Sequence, residues 1–183
     1  MSSEKALVQQ AKAGDRNAFA ALVSAYETKI YNLALRYLGN REDAMDASQE
    51  VFLRVFRFLP GFQEESGFST WIYRIGVNVC KDMLAKQSKR NEQSIEVEDE
   101  DEDRRTIDIV DCRYAPEQIL ENAELRTMLS KAIASLPDQQ REVIVLRDIQ
   151  GLSYEEIANV LSLESGTVKS RLSRARENLR KKL

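Results

Sequence analysis

Apolar residues recur along this chain every three or four positions, the spacing of one face of a helix. No segment alternates apolar and polar positions long enough to argue for a strand. The pattern therefore predicts an all-α protein. Its punctuation is sparse and well placed. Pro60, Pro116 and Pro137 each fall between periodic segments, and Gly14, Gly39-Asn40 and Gly61 sit where a helix would close. Read with these breaks, the first part of the chain predicts helices over 4–12, 17–38, 41–59 and 69–89. A loop, GFQEESGF, precedes the last of them. The second part predicts helices over 116–135, 138–149, 153–161 and 166–182, with Pro116 suited to a first turn.

Between the two parts the pattern fails. Residues 91–115 include EVEDEDEDRR, which cannot bury apolar area and whose like charges repel. The expected organisation is two small helical domains, 1–90 and 116–183, joined by a flexible acidic linker, 91–115. A flexible tether of about 25 residues has a root-mean-square reach on the order of 25–30 Å, so the domains could engage separate sites on one large partner. Charge follows the same division. The net charge is −3, but residues 1–90 carry +3, residues 91–118 carry −8 and residues 119–183 carry +2.

Composition narrows the function classes. There is no histidine, which removes the commonest general base and metal ligand. The two cysteines, Cys80 and Cys112, stand in unrelated contexts and make neither a disulfide framework nor a cysteine zinc site. Cys80 reads as a buried structural thiol, with a redox role as the alternative. No glycine loop for phosphates and no ligand cluster is evident, so an enzyme, a metal and a cofactor are not expected. The first residues, MSSEKALVQQAKAGD, lack a long apolar core and no run suits a membrane span. The expected location is the cytoplasm, without membrane insertion.

The clearest local motif covers 152–183. Ser153 with Glu156 three residues on spells a capping box, and Tyr154, Ile157, Ala158 and Leu161 share one helical face. A tight turn, SLES, leads into a second helix with two faces. Val168, Leu172, Ala175 and Leu179 form an apolar stripe, with Ser170, Ser173, Arg174 and flanking cations opposite. Residues 165–183 hold seven basic side chains and one acidic. A short capped helix, a turn and a cationic second helix spell a helix-turn-helix whose second helix enters the major groove of DNA. The short Ser170 and Ser173 allow close approach to base edges, and Lys169 and Arg174 can reach guanine. The alternative is a solvated basic helix favoured by its own dipole.

Two surfaces stand out in the first domain. In the helix over 41–59, Met45, Ser48, Phe52, Val55, Phe56 and Leu59 are the expected core side. Asp46, Gln49, Glu50, Leu53, Arg54 and Arg57 form a polar face with an apolar centre, either a protein-docking surface or solvated. In the helix over 69–89, Ile72, Ile75, Val79 and Met83 are the expected core stripe. Trp71, Arg74, Asn78 and Lys81 make a second stripe suited to unstacked bases and a phosphate backbone. Phe62 and Phe68 would add stacking platforms, and Gly61 and Gly67 would let the loop fold around an extruded base. The alternative places the three aromatics in the core.

Three segments together resemble bacterial sigma factors of the group-4, extracytoplasmic-function type. DAMDASQEVFLRVFR is similar to the segment that grips the RNA polymerase β′ clamp helices. FSTWIYRIGVNVCKDML is similar to the region that melts and reads the −10 element. The stretch from LPDQQREVIVLRDIQ to the C-terminal RENLRKKL is similar to region 4, which binds the −35 element. The resemblance implies a non-enzymatic initiation factor. It places Asp46, Gln49, Glu50, Phe52 and Arg54 on core polymerase. It places Phe58, Gly61, Phe62, Trp71, Ile75 and Asn78 on unstacked −10 bases, with Arg74 and Lys81 beside them. Lys169, Ser170, Ser173 and Arg174 fall on the −35 duplex, with Thr167, Arg171 and Arg176 mainly holding phosphates. The implied partners are core RNA polymerase, through the β′ clamp helices and the β flap, promoter DNA, and an anti-sigma factor. A conventional dimeric regulator would use the same helix-turn-helix but would need a second half-site.

Overall fold

The computed structural model describes residues 3–94 and 118–183, in which helices are joined by turns and short loops, without strands. The first bundle comprises α1 (Ser3–Lys12), α2 (Arg16–Leu38), α3 (Arg41–Phe58), a 3₁₀ turn (Leu59–Gly61) and α4 (Phe68–Ser94). The second comprises α5 (Gln118–Ala134), α6 (Asp138–Ile144), a π-helical turn (Val145–Ile149), α7 (Tyr154–Leu161) and α8 (Ser165–Arg180). Each predicted helix has its counterpart among the described residues, while the expected first-turn place of Pro116 lies outside them. The predicted linker yields its first residues, 91–94, to α4, and the rest of it, with Cys112, lies outside the described residues.

Local chemistry explains the boundaries. The Asp15 carboxylate accepts from the backbone N–H of Asn17 at 2.8 Å and of Ala18 at 3.2 Å, capping α2. Gly39 closes α2 in the left-handed region at φ 79°, its N–H donating to the Leu35 carbonyl. The Asn40 side chain then accepts from the Asp43 N–H and starts α3.

Packing of α3 corrects the expectation for its core face. Ala44, Ala47, Val51 and Val55 are buried, whereas Met45 and Phe56 are 63% and 64% exposed. Ser48 and Phe52 are half-buried, and Leu59 is buried in the turn that follows. The inward face is thus rotated by about one residue from the row of large side chains. Two alanines let α3 come close against α2, where Leu22, Tyr26, Ile30 and Leu33 fill the centre. The same economy recurs on α4, where Gly76 faces Leu33 and Ile30. On α4, Ile72 and Val79 are buried as expected, but Ile75 and Met83 are only half-buried, while Tyr73, Val77 and Cys80 join the core.

That wider buried arc has a cause. α4 packs against α2 and α3 on one side and against α7 of the second bundle on the other. The domains therefore lie side by side rather than at two ends of a tether. Polar contacts line the seam. Tyr73 donates its hydroxyl to Gln150 Oε1 at 2.9 Å, and Gln150 Nε2 donates to the Lys29 carbonyl at 3.2 Å. Arg141 donates to the Tyr37 carbonyl at 3.0 Å, and Arg36 donates to Ser130 Oγ. Lys81 pairs with the buried Glu142 at 2.9 Å. No helix of the described residues is long and apolar enough to cross a membrane.

Candidate nucleic-acid interface

The helix-turn-helix forms as its local chemistry dictates. Glu156 N–H donates to Ser153 Oγ at 3.1 Å, and Ser153 N–H donates to Glu156 Oε2 at 2.7 Å, completing the capping box of α7. Ser162 closes α7 in the left-handed region, at φ 55°. Ile157 and Val160 of α7 and Val168, Leu172 and Ala175 of α8 are buried, which fixes the outward face of α8.

On that face Lys169, Ser170, Ser173 and Arg174 are exposed, and Thr167 and Arg171 are half-buried. Ser170 Oγ donates to the Thr167 carbonyl at 3.0 Å, which orients its hydroxyl oxygen. Among the described residues nothing engages Arg174. Arg176 differs: its guanidinium grips Asp148 through two bonds, at 2.6 and 3.2 Å. An arginine expected to hold phosphate is instead tied to the π-helical turn, because a fork-shaped donor matches a carboxylate laid beside it. Tyr154 stands between two cations, with Arg147 4.9 Å and Lys169 5.9 Å from its ring centroid. Asp148, Arg147 and Tyr154 thus set the flank of the cationic face. The sequence signal for them was an acidic residue in the helix before the motif, which pattern reading does not pair with α8.

The second candidate surface is the loop before α4 and the outer face of α4. Phe62 and Phe68 are 7% and 4% exposed, so they are core residues rather than open platforms. Phe62 stacks on Trp71 at 4.6 Å between centroids and 27° between planes, and Phe68 packs beside both. Aromatic pairing together with burial against Tyr26 outweighs exposure to water. Phe58, Gly61, Asn78 and Lys81 are exposed, and Trp71, Arg74 and Ile75 are half-buried. The predicted stripe keeps its spacing but is divided in use. Arg74 donates to the Asn159 carbonyl at 2.7 Å and Lys81 pairs with Glu142, both in the second bundle.

The expected polymerase face on α3 is partly open to solvent. Asp46 and Gln49 are exposed, and Glu50 and Phe52 are half-buried. Arg54 bonds Glu50 at 2.7 Å and Asp82 at 3.1 Å, so it is held against α3 and α4. With Val23, Tyr31 and Met45, residues Asp46, Gln49 and Phe52 line an open groove of about 750 Å³ between α2 and α3. Met45 and Phe56, expected in the core from periodicity, lie at the surface instead. Their exposure beside Leu53, 55% exposed, extends the apolar part of this face.

Comparison with known proteins identifies both parts of the chain. Residues 22–90 match the family model Sigma-70 region 2, and residues 126–179 match Sigma-70, region 4. The ECF RNA polymerase sigma-E factor of Haemophilus influenzae is 39% identical, over 99% of this chain and 95% of that protein. The ECF RNA polymerase sigma factor SigW of Bacillus subtilis is also 39% identical, over 98% of this chain and 96% of that protein. Among solved structures, CnrH in complex with the cytosolic domain of CnrY superposes with a TM-score of 0.70 at 27% identity, covering 96% of this chain and 94% of that one. The sigma factor RpoE in complex with the anti-sigma factor NepR, from Bartonella quintana, shares the fold with a TM-score of 0.73 at 24% identity, over 90% of this chain and 95% of that one. With both regions in order on one chain, and relatives matched along nearly their whole length, the protein belongs to the extracytoplasmic-function RNA polymerase sigma factors, which direct transcription initiation and catalyse no reaction themselves.

Proposed function

We propose that this sigma factor divides promoter recognition between its two bundles, α8 reading the −35 duplex and the α4 surface capturing unstacked −10 bases. The observation that carries the reading is the outward face of α8, where Lys169, Ser170, Ser173 and Arg174 stand exposed on a capped and packed helix-turn-helix. Base edges are reached by Ser170, Ser173 and Arg174, with Lys169 alongside. Thr167 and Arg171 hold phosphates, and Arg176 reaches them only by leaving Asp148. On α4, Asn78 and Ile75 meet the opened strand together with Trp71, Gly61 and Phe58. Arg74 and Lys81 become available to it once the second bundle moves away. Binding of unstacked bases offsets the cost of opening the duplex.

Residues 1–90 then act as the region that binds core polymerase and melts the −10 element, 116–183 as the −35 module, and 91–115 as the connection. The α3 face of Asp46, Gln49, Glu50, Phe52 and Arg54 docks on the β′ clamp helices, and the second bundle docks on the β flap. Two solved relatives were captured with a partner protein, one of them an anti-sigma factor, and this supports an anti-sigma partner for this chain in the cytoplasm.

Geometry adds a requirement. The −35 and −10 elements lie about 25 base pairs apart, about 85 Å at ~3.4 Å per pair. Helices in contact have axes about 8–10 Å apart; α4 contacts α7 and α7 contacts α8, which keeps α8 within about 20 Å of α4. The seam must therefore part for both elements to be bound at once. The test is run-off transcription with purified core polymerase on a genomic fragment library. Defined starts that require both proteins are expected, with weak DNA binding by the chain alone. A tight sequence-specific footprint without polymerase would overturn the reading.

A further inference from the structure

The loop between α3 and α4 is held from outside by α1. Lys12 Nζ donates to the Phe62 carbonyl at 2.6 Å and lies 3.4 Å from Glu64 Oε1. Gln9 donates to the same carboxylate oxygen, and Lys5 approaches its other oxygen at 4.0 Å. The Lys12 ammonium also sits 5.9 Å from the centroid of the Phe62 ring. α1 is itself fixed: Val8 is buried and Tyr26 donates its hydroxyl to Glu4 at 2.6 Å.

The held loop is not a relaxed one. Glu64 adopts φ 57°, in the left-handed region, which side chains other than glycine and asparagine seldom enter. A non-glycine residue persists there only when its surroundings hold it. Here the surroundings are three side chains of α1 converging on one carboxylate. The bond to the Phe62 carbonyl and the bonds to Glu64 pin the loop on either side of Gln63, which stays exposed. Phe62 in turn stacks on Trp71 of α4, so the clasp reaches the start of that helix through one ring.

We propose that Lys12 and Glu64 are positioning residues for −10 recognition: α1, through this clasp, sets the shape of the loop and thereby which unstacked base the protein accepts. The proposal rests on the reading that the loop and α4 capture the −10 strand. Lys12 acts through the Phe62 carbonyl and the Glu64 carboxylate, so its loss alters discrimination between bases more than the yield from the best promoter.

The test uses the full chain with core polymerase, on a promoter panel carrying each base at each −10 position. Lys12→Met keeps the aliphatic stem and removes the charge. Its preference between the best and second-best base should fall by at least about 3-fold at one position, and Lys12→Arg should restore it. Glu64→Gly relieves the left-handed residue and removes the other half of the clasp. It should give the same change, and the double variant should be no worse than either single one, as expected of two groups acting as a unit. An equal loss on every promoter, or additive effects of the two substitutions, would overturn the proposal. Asn78→Ala separates the clasp from its premise. If Asn78→Ala alters −10 preference and Lys12→Met does not, the clasp fails. If neither does, the −10 reading fails with it.

Discussion

Arg174 and Arg176 stand two positions apart on α8 and are committed differently. Arg174 projects into solvent, while Arg176 is clamped to Asp148. If Arg174 makes a two-bond contact to guanine, Arg174→Ala should cost ~1–3 kcal/mol on the preferred promoter and relax one −35 position. Competition across a −35 library checks this, and a uniform loss across sequences would reassign Arg174 to phosphate. A second residue-scale prediction concerns pH. Burial pushes the Cys80 thiol up to about 12 from 9.0, and burial with the Glu156 charge pushes the Tyr73 hydroxyl up to about 12 from 10.0. In the folded protein both groups hold their protons where the unfolded chain has released them. Their contribution is intact below about pH 9 and is lost as pH rises from 9 towards 12. Urea midpoints should therefore fall between pH 8 and pH 10.5, and less steeply in Cys80→Ala. Unchanged midpoints would refute the assignment.

At the scale of elements, α2, α3 and α4 are held close by small residues. A Cβ at Gly76 would lie 2.8 Å from Leu33 Cδ2 and 3.7 Å from Ile30 Cδ1, both fully buried side chains. Gly76→Ala should therefore destabilise the first bundle by ~1–3 kcal/mol, the usual cost of overpacking. Gly61 meets nothing within 4 Å, so Gly61→Ala should change stability by no more than about 0.5 kcal/mol. Urea unfolding of the two variants compares them directly. A defect in promoter opening in Gly61→Ala then reports contact with DNA rather than a damaged fold. The rotation of α3 belongs to this scale too. Periodicity alone favoured Phe56 and Met45 as core because they are large. Close approach of α2 favoured Ala44 and Ala47, and the large side chains were left at the surface, Phe56 edge-on to Phe19 at 5.2 Å between centroids.

At the scale of the whole molecule, the main feature is the seam between the two bundles. Tyr73, Arg74 and Lys81 of α4 all bond to the second bundle, on the helix proposed to meet −10 DNA. Free chain that keeps the seam closed should scatter X-rays with a smaller radius of gyration than the same chain with its bundles apart. Tyr73→Phe combined with Gln150→Ala removes the bond between them and the Gln150 bond to the Lys29 carbonyl. This pair should enlarge the radius measurably while leaving helix content unchanged. An unaltered radius would show that the apolar contacts of the seam suffice.

What the sequence determined by itself was local. Helix caps at Asp15, Asn40 and Ser153, the break at Gly39, and the two-faced character of α8 depend on neighbours a few residues away. For the same reason the polar row of Lys169, Ser170, Ser173 and Arg174 is legible in the sequence. What only the tertiary structure decided was every choice between partners far apart in the chain. Burial of Phe62 and Phe68 depends on Tyr26 and Trp71, and the pairing of Arg176 depends on Asp148. The clasp joins Lys12 to Phe62 and Glu64, residues some fifty positions away, and the seam joins α4 to α7. A periodic pattern states that a face is apolar. It does not state which surface comes close enough to use that face, because that depends on the fit of side chains from helices that meet only when the chain folds.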